Sequence, residues 1–452
     1  MEVNMSSSRI MSSLLVFLLL SGAAGAQDAL PADAEKTIPA AQTEDVSVPS
    51  ATSRKVSSAN ENAGADEASR PVSAKLQLSP RGGETDSTSA TKLPELSREA
   101  RGRRDELRRC LAYYFLRPET TAERAPWGAM HAIVGFGVDT ALDAGHEKVN
   151  AIAWLCWNRS CGGMQLFYAD RGQVIAPIGP GYQGHEGQFL QVMALSRVPK
   201  DYAMKVNGQQ FSIADLVKRE QLTCQSRTEL SFKLVGLSHY LDSDATWQNQ
   251  SGESWSLERL IQEELAQPVN NGVACGGSHR LMGLGYAVRK RERRDEPLIG
   301  QWARAKQTVD SYAAYALRAQ NADGSFSTNW FEGPGNSADL EKKLNTTGHT
   351  LEWLLLSLPD KQLSDPRLAQ AAQFLTALMW THRSQPWYIG AKGHAIHALT
   401  LYDERVFGGK PGQRGAELAP FTDQVAAEGP LVRRDAPAAS PAAGRPRAYR
   451  TR

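Results

Sequence analysis

The sequence predicts an all-α protein, an (α/α)6 toroid with six parallel inner helices inside six outer ones. Two observations carry that reading. Apolar helical segments alternate along the chain with amphipathic ones that are charged on one face. When the apolar segments are aligned on their N-termini, one position holds His131, His185, Glu229, His279, His349 and His394, about 45 to 70 residues apart. Recurrence of a residue at such an interval marks stacked structural repeats. Glycine directly precedes His185, His349 and His394, and lies two or three residues before His279 and His131. The alternation fits a double layer, because inner helices are buried on most sides while outer ones bury a single stripe.

Composition bounds the folded part of the 452-residue chain. Arg9, the apolar run Leu14–Leu20 and the small residues Ala24-Gly25-Ala26 read as a secretory signal peptide over 1–26. The protein is therefore expected to be exported, either secreted or periplasmic. Residues 27–95 contain no aromatic residue and only scattered aliphatics, too little apolar surface to offset chain entropy, and are expected to be disordered. The Pro-, Ala- and Arg-rich tail 410–452 reads the same way. Residues 96–409 hold every tryptophan, histidine and cysteine and form one expected toroid domain. A net charge of +2 argues against nucleic acid as a partner. No segment of the mature chain is apolar for long enough to predict a membrane span.

Taken in order, residues 97–117 form a charged amphipathic helix ending before Pro118. An apolar helix begins near Trp127, and its amphipathic successor covers 146–157. The stretch 164–178 alternates like a small β-hairpin, with Asp170-Arg171-Gly172 at its turn. Gly184-His185-Glu186 opens the next apolar helix, and Ser212 caps the amphipathic segment 212–222. Helices follow over 228–241, over 256–266 and from Ser278-His279 onward. Pro297 precedes a long amphipathic helix through Gln320, and an apolar helix begins just after Gly348-His349. Asp365-Pro366 starts the last amphipathic helix, with proline in its first turn. Gly393-His394 starts the final apolar one.

One connection adds a resemblance. Gln320-Asn321-Ala322-Asp323-Gly324-Ser325-Phe326 resembles the repeat motif of the α/α-toroid superfamily of squalene and terpenoid cyclases and protein prenyltransferase β subunits. The resemblance is best over 275–405. It implies a central cavity lined by the apolar helices. Prenyltransferases hold zinc with an Asp, a Cys and a His, and the His would correspond to His349 or His394. No Asp-x-Cys precedes an inner helix, so no zinc prenyltransferase site is carried over. Cys275 and His279 alone make a weak ligand pair. Asp242-Ser243-Asp244-Ala245-Thr246 resembles the acid motif of class II terpenoid cyclases, but it follows an inner helix and is read as a turn.

Parallel inner helices would aim positive dipole ends and unpaired N–H groups at one mouth, which favours a polar or anionic small molecule or a polysaccharide. Glu229, His279, His349, His185 and His394 are the candidate catalytic residues, since imidazoles and carboxylates in one place can exchange protons. His131, Glu186, Arg280, Glu352, Tyr182, Trp330, Trp387 and Tyr388 are candidate binding residues. The sequence assigns no metal ligand set, no cofactor and no oligomeric state. Five cysteines in an exported chain permit two disulfides. Cys224 and Cys275, in the loops before neighbouring inner helices, are expected to pair. Cys156 and Cys161 could close a small loop, which leaves Cys110 buried. Asn158, Asn249 and Asn345 stand in glycosylation sequons.

Three functions follow. The first is an exported prenyltransferase/squalene-cyclase-like toroid protein with a His/Glu-lined site at the inner-helix N-termini. Export argues against isoprenoid diphosphates as its substrates. The second is a carbohydrate-active toroid, a polysaccharide lyase or glycosidase, with Arg280 against a uronate carboxylate and aromatic residues as sugar platforms. The third is a non-catalytic binding or scaffold module.

Overall fold

The structure, a computed structural model, describes residues 96–269 and 274–427, all within one compact unit. The expected signal peptide, the expected linker and residues 428–452 of the tail lie outside the described residues. The described chain is mostly helical. Its helices are α1 (Arg98–Phe115), α2 (Pro126–Phe136), α3 (Ala151–Cys156), α4 (Gln188–Leu195), α5 (Ile213–Leu222), α6 (Ser231–Tyr240) and α7 (Leu257–Leu265). There follow α8 (Ser278–Arg293), α9 (Gly300–Arg318), α10 (Leu340–Ser357), α11 (Pro366–Thr381), α12 (Ile389–Phe407) and α13 (Arg414–Ala427). Even-numbered α2 to α12 are the six expected apolar helices, and odd-numbered α1 to α11 are their amphipathic partners.

Local chemistry explains where these helices start. Ser97, Asn150, Ser256, Asp339 and Asp365 each accept a hydrogen bond from a first-turn backbone N–H. Ser212 and Asp215 cap α5 reciprocally. Asp339 moves one boundary. The helix expected to begin after His349 begins at Leu340, which puts His349 in its third turn.

The apolar helices pack on one another in a definite sequence. α2 packs on α12, α12 on α10, α10 on α8, α8 on α6, α6 on α4, and α4 on α2. The glycines before the histidines permit part of this closeness. A Cβ on Gly393 would lie 2.4 Å from the backbone oxygen of His131, so α12 and α2 could not keep their separation. Gly393→Ala is therefore expected to cost about 1–3 kcal/mol, as overpacked cores do. Denaturant unfolding checks this, and unchanged stability would contradict the packing described.

The Gln320–Phe326 motif is a staple between helices. Gln320 Nε2 donates to the carbonyls of Gly324 (2.9 Å) and Arg367 (2.8 Å), tying the end of α9 to α11. Asp323 accepts from Ser325 and pairs with Lys343 of α10 at 2.7 Å. Gly324 sits at φ +88°, and a Cβ there would meet the Gln370 carbonyl oxygen at 2.6 Å. Phe326 is buried.

Strands are more numerous than expected. β1 (Glu119–Thr120), β2 (Ala141–Asp143) and β3 (Lys148–Asn150) form a three-stranded sheet, with β1 parallel and β3 antiparallel to the central β2. β4 (Tyr168–Asp170) and β5 (Gln173–Ile175) are the expected hairpin. Two further hairpins join β6 (Ala203–Val206) to β7 (Gln209–Ser212), and β8 (Thr246–Gln248) to β9 (Ser254–Ser256). The first turns through Asn207-Gly208, both at positive φ as a two-residue turn requires. In the second, Trp247 stands opposite Trp255, a pairing that orders what reads as a polar loop.

The beginning of the expected disordered tail is also ordered. Residues 414–427 form α13, which packs on α1 and buries Leu418 and Val425. Buried Arg414 pairs with Asp403 of α12, whose other oxygen accepts from Arg108 Nε at 2.9 Å. Among the described residues no helix is long and apolar enough to cross a membrane.

Candidate functional site

The recurring position does converge. The rings of His349 and His394 lie 3.9 Å apart between centroids, and His279 stands 5.3 Å from the first and 5.2 Å from the second. His131 lies 5.6 Å from His394, and His185 lies 5.9 Å from His279. Five imidazoles from five helical repeats thus meet in one buried cluster, open toward solvent only at His185.

Each ring is oriented differently. His131 and His349 face carbonyls one turn back on their own helices: Nδ1 lies 2.8 Å from Trp127 O and 2.9 Å from Asn345 O. His394 Nδ1 meets Glu352 Oε2 at 2.7 Å, and His397 Nδ1 meets the other oxygen. An Nδ1–H donated to each acceptor leaves Nε2 with its lone pair free. His279 is buried, and neither of its ring nitrogens has a hydrogen-bond partner.

Burial sets the charges. It holds His279 and His349 below the ordinary imidazole range, with the neighbouring histidines adding to the effect at His349. It pushes His131 down to about 3. Burial alone would raise the Glu352 carboxyl, but His394 and His397 hold it well below the usual carboxylate range. Glu352 is thus a buried anion that orients two histidines, not a group facing a ligand. His397 stands outside the repeat position, and its sequence signal is its place three residues after His394, on the same helical face.

His185 and Glu229 form the solvent-side part of the site. They come from the turns before α4 and α6, and Nδ1 meets Oε2 at 2.6 Å, with 34% of the His185 and 41% of the Glu229 side chain exposed. The His185 ring stacks on Phe232 at 4.3 Å. Burial would raise the Glu229 carboxyl, but the His185 hydrogen bond holds it below its usual range.

Other candidates are engaged elsewhere. Arg280 Nε donates to buried Glu264 at 3.0 Å, Nη2 donates to Gln267 at 3.1 Å, and Nη1 donates to the Pro268 carbonyl. Glu264 also accepts from Leu230 N and Ser231 Oγ, so Arg280 clamps α8 to α6 and α7. Glu186 pairs with buried Lys233 at 2.8 Å. Trp387 is buried against His382, and Tyr182 is half-buried in the turn before α4. Trp330 meets His349 edge-on at 5.9 Å. Tyr388 is exposed and lies 5.6 Å from Trp127, whose ring is 4.0 Å from His131. Trp127 is an aromatic neighbour that the sequence did not single out.

The expected disulfides do not form. All five cysteines are free and buried. Cys224, just past the end of α5, turns its Sγ back to the Glu220 carbonyl at 3.2 Å instead of toward Cys275. Cys156 closes α3 deep in the core, while Cys161 lies in a tight turn paired through its backbone with Met164. Each packs as a small apolar side chain, and burial pushes the Cys224 thiol up to about 12 and Cys161 up to about 11. Asn158 and Asn249 of the sequons are likewise buried and hydrogen-bonded. Asp244 of the cyclase-like segment is exposed, at the C-terminal ends of α6 and α8, where it pairs with Arg291 at 3.0 Å.

The nitrogens of His279, His349 and His394 lie within 4.8 Å of one another, close enough for one metal ion. Compared with known protein families, curated proteins and solved structures, the chain finds no match.

Proposed function

We propose that the chain is an exported enzyme built as an (α/α)6 toroid, with a site at the N-terminal part of its inner helices that transfers protons on a polar or anionic ligand. The closed sequence of neighbours from α2 through α12 and back to α2 supports the toroid. The observation that carries the chemistry is the His185–Glu229 pair, at 2.6 Å and partly exposed beside the buried histidines. A carboxylate accepting from Nδ1–H fixes the imidazole's tautomer and orientation and leaves Nε2 as the base, the arrangement general acid–base catalysis needs.

Trp127 and exposed Tyr388, 5.6 Å apart, are the aromatic pair on which a saccharide substrate could stack. A uronate-specific lyase loses its expected carboxylate partner, because Arg280 is held by Glu264. The test is turnover by the purified protein against neutral glycans, uronate polysaccharides and small esters or amides. One class should be consumed, and Glu229→Gln should lower kcat by about 10²- to 10⁴-fold without unfolding the protein. No turnover of any class, or turnover unchanged in Glu229→Gln, overturns this reading in favour of a binding module.

A further inference from the structure

We propose that His279, His349 and His394 form a three-histidine site for a divalent first-row transition metal of the zinc type, with its fourth position open. Their ligand nitrogens already lie within 4.8 Å of one another and are contributed by α8, α10 and α12. A tetrahedral zinc–imidazole site places nitrogens about 3.3 Å apart, so small side-chain rotations complete it.

Three features point to a metal in preference to packing alone. First, His279 is buried with neither ring nitrogen hydrogen-bonded, a costly state for a polar ring unless a ligand completes it. Second, the other two rings carry the outer partners typical of metal-bound histidine. His394 is oriented by buried Glu352, and His349 by the Asn345 carbonyl, each through Nδ1. Third, the donor set selects the metal. Imidazole nitrogens suit zinc and its neighbours, whereas calcium and magnesium require oxygens. Glu352, the carboxylate bonded to His394, has both oxygens occupied by His394 and His397. Three protein ligands with an open position is the pattern of catalytic, not structural, zinc. The partly exposed His185 ring lies 5.9 Å from that of His279, beside the three ligands.

The experiment uses the purified protein stripped with a chelator and titrated with Zn²⁺ and separately with Co²⁺. One ion should bind per chain, and Co²⁺ should give the intense visible absorption of a tetrahedral site. His279→Ala breaks no hydrogen bond and should weaken binding at least about 100-fold, and Glu352→Gln about 10- to 100-fold. His239→Ala should bind like wild type, because that half-buried ring at the C-terminal end of α6 is bonded to Tyr286 Oη at 2.7 Å. Substoichiometric uptake, or equal affinity in His279→Ala, overturns the proposal. Should His279→Ala fail to fold, the wild-type Co²⁺ spectrum decides: a weak octahedral spectrum overturns the site. Binding is read without turnover, so bound metal with no activity would sink only the enzyme reading, and turnover by a protein that takes up no metal would sink only this one.

Discussion

Replacing Lys233 by methionine lowers stability by about 3–5 kcal/mol, the usual cost of removing one partner from a buried ion pair. The side chain is fully buried on α6. Its Nζ lies 2.8 Å from Glu186 Oε2 and 3.3 Å from Glu220 Oε2, and it donates to the Thr223 carbonyl and hydroxyl at 2.8 and 2.7 Å. Methionine matches its volume, so packing survives and the loss is electrostatic. Glu220 is left in a site whose burial already raises its carboxyl above the usual range, opposed chiefly by Lys233. The double variant Lys233→Met/Glu220→Met should recover most of the loss, because neither charge is then buried alone. Denaturant unfolding of the two variants checks both statements. A neutral Lys233→Met, or a double variant no better than the single, would contradict them.

Glu352→Ala is the second large effect, expected to cost about 2–6 kcal/mol. Two buried Nδ1–H donors, on His394 and His397, lose their only acceptor, at about 1–3 kcal/mol each. Glu352→Gln retains one acceptor oxygen and should cost about half as much. The alanine variant also frees the His394 ring to turn, so it should weaken metal binding more than glutamine does. Calorimetric unfolding alongside Zn²⁺ titration measures both. Equal behaviour of the two variants would mean that Glu352 does not orient the histidines.

How much of this was legible in the sequence depends on how far apart the interacting residues are. Each helix of the α2-to-α12 set shows as an apolar segment, although the Asp339 cap moves the start of α10, and the recurrence of histidine shows that these positions are equivalent. Convergence of His279, His349 and His394 follows from that equivalence. Which ring would lack a partner does not, because it depends on carbonyls and carboxylates supplied by other turns. Lys233 illustrates the limit. It reads as one lysine in an apolar helix, and its partners Glu186 and Glu220 come from two other segments. Arg280 fails similarly, since Glu264 lies on a helix whose orientation sequence does not fix. The Asn207-Gly208 hairpin was not expected either, although Asn-Gly is a strong local turn signal. Cys224 and Cys275 show how proximity of loops misleads, because a disulfide needs facing Cβ vectors as well.

The most direct measurement is X-ray absorption at the zinc edge on protein loaded with one equivalent of Zn²⁺. Three imidazole nitrogens and one light oxygen scatterer at about 2.0–2.1 Å are expected, from His279, His349, His394 and a solvent molecule in the open position. A sulfur at about 2.3 Å would instead place Cys275 in the site with His279, and a six-coordinate shell with no imidazole scattering would remove the three-histidine centre altogether.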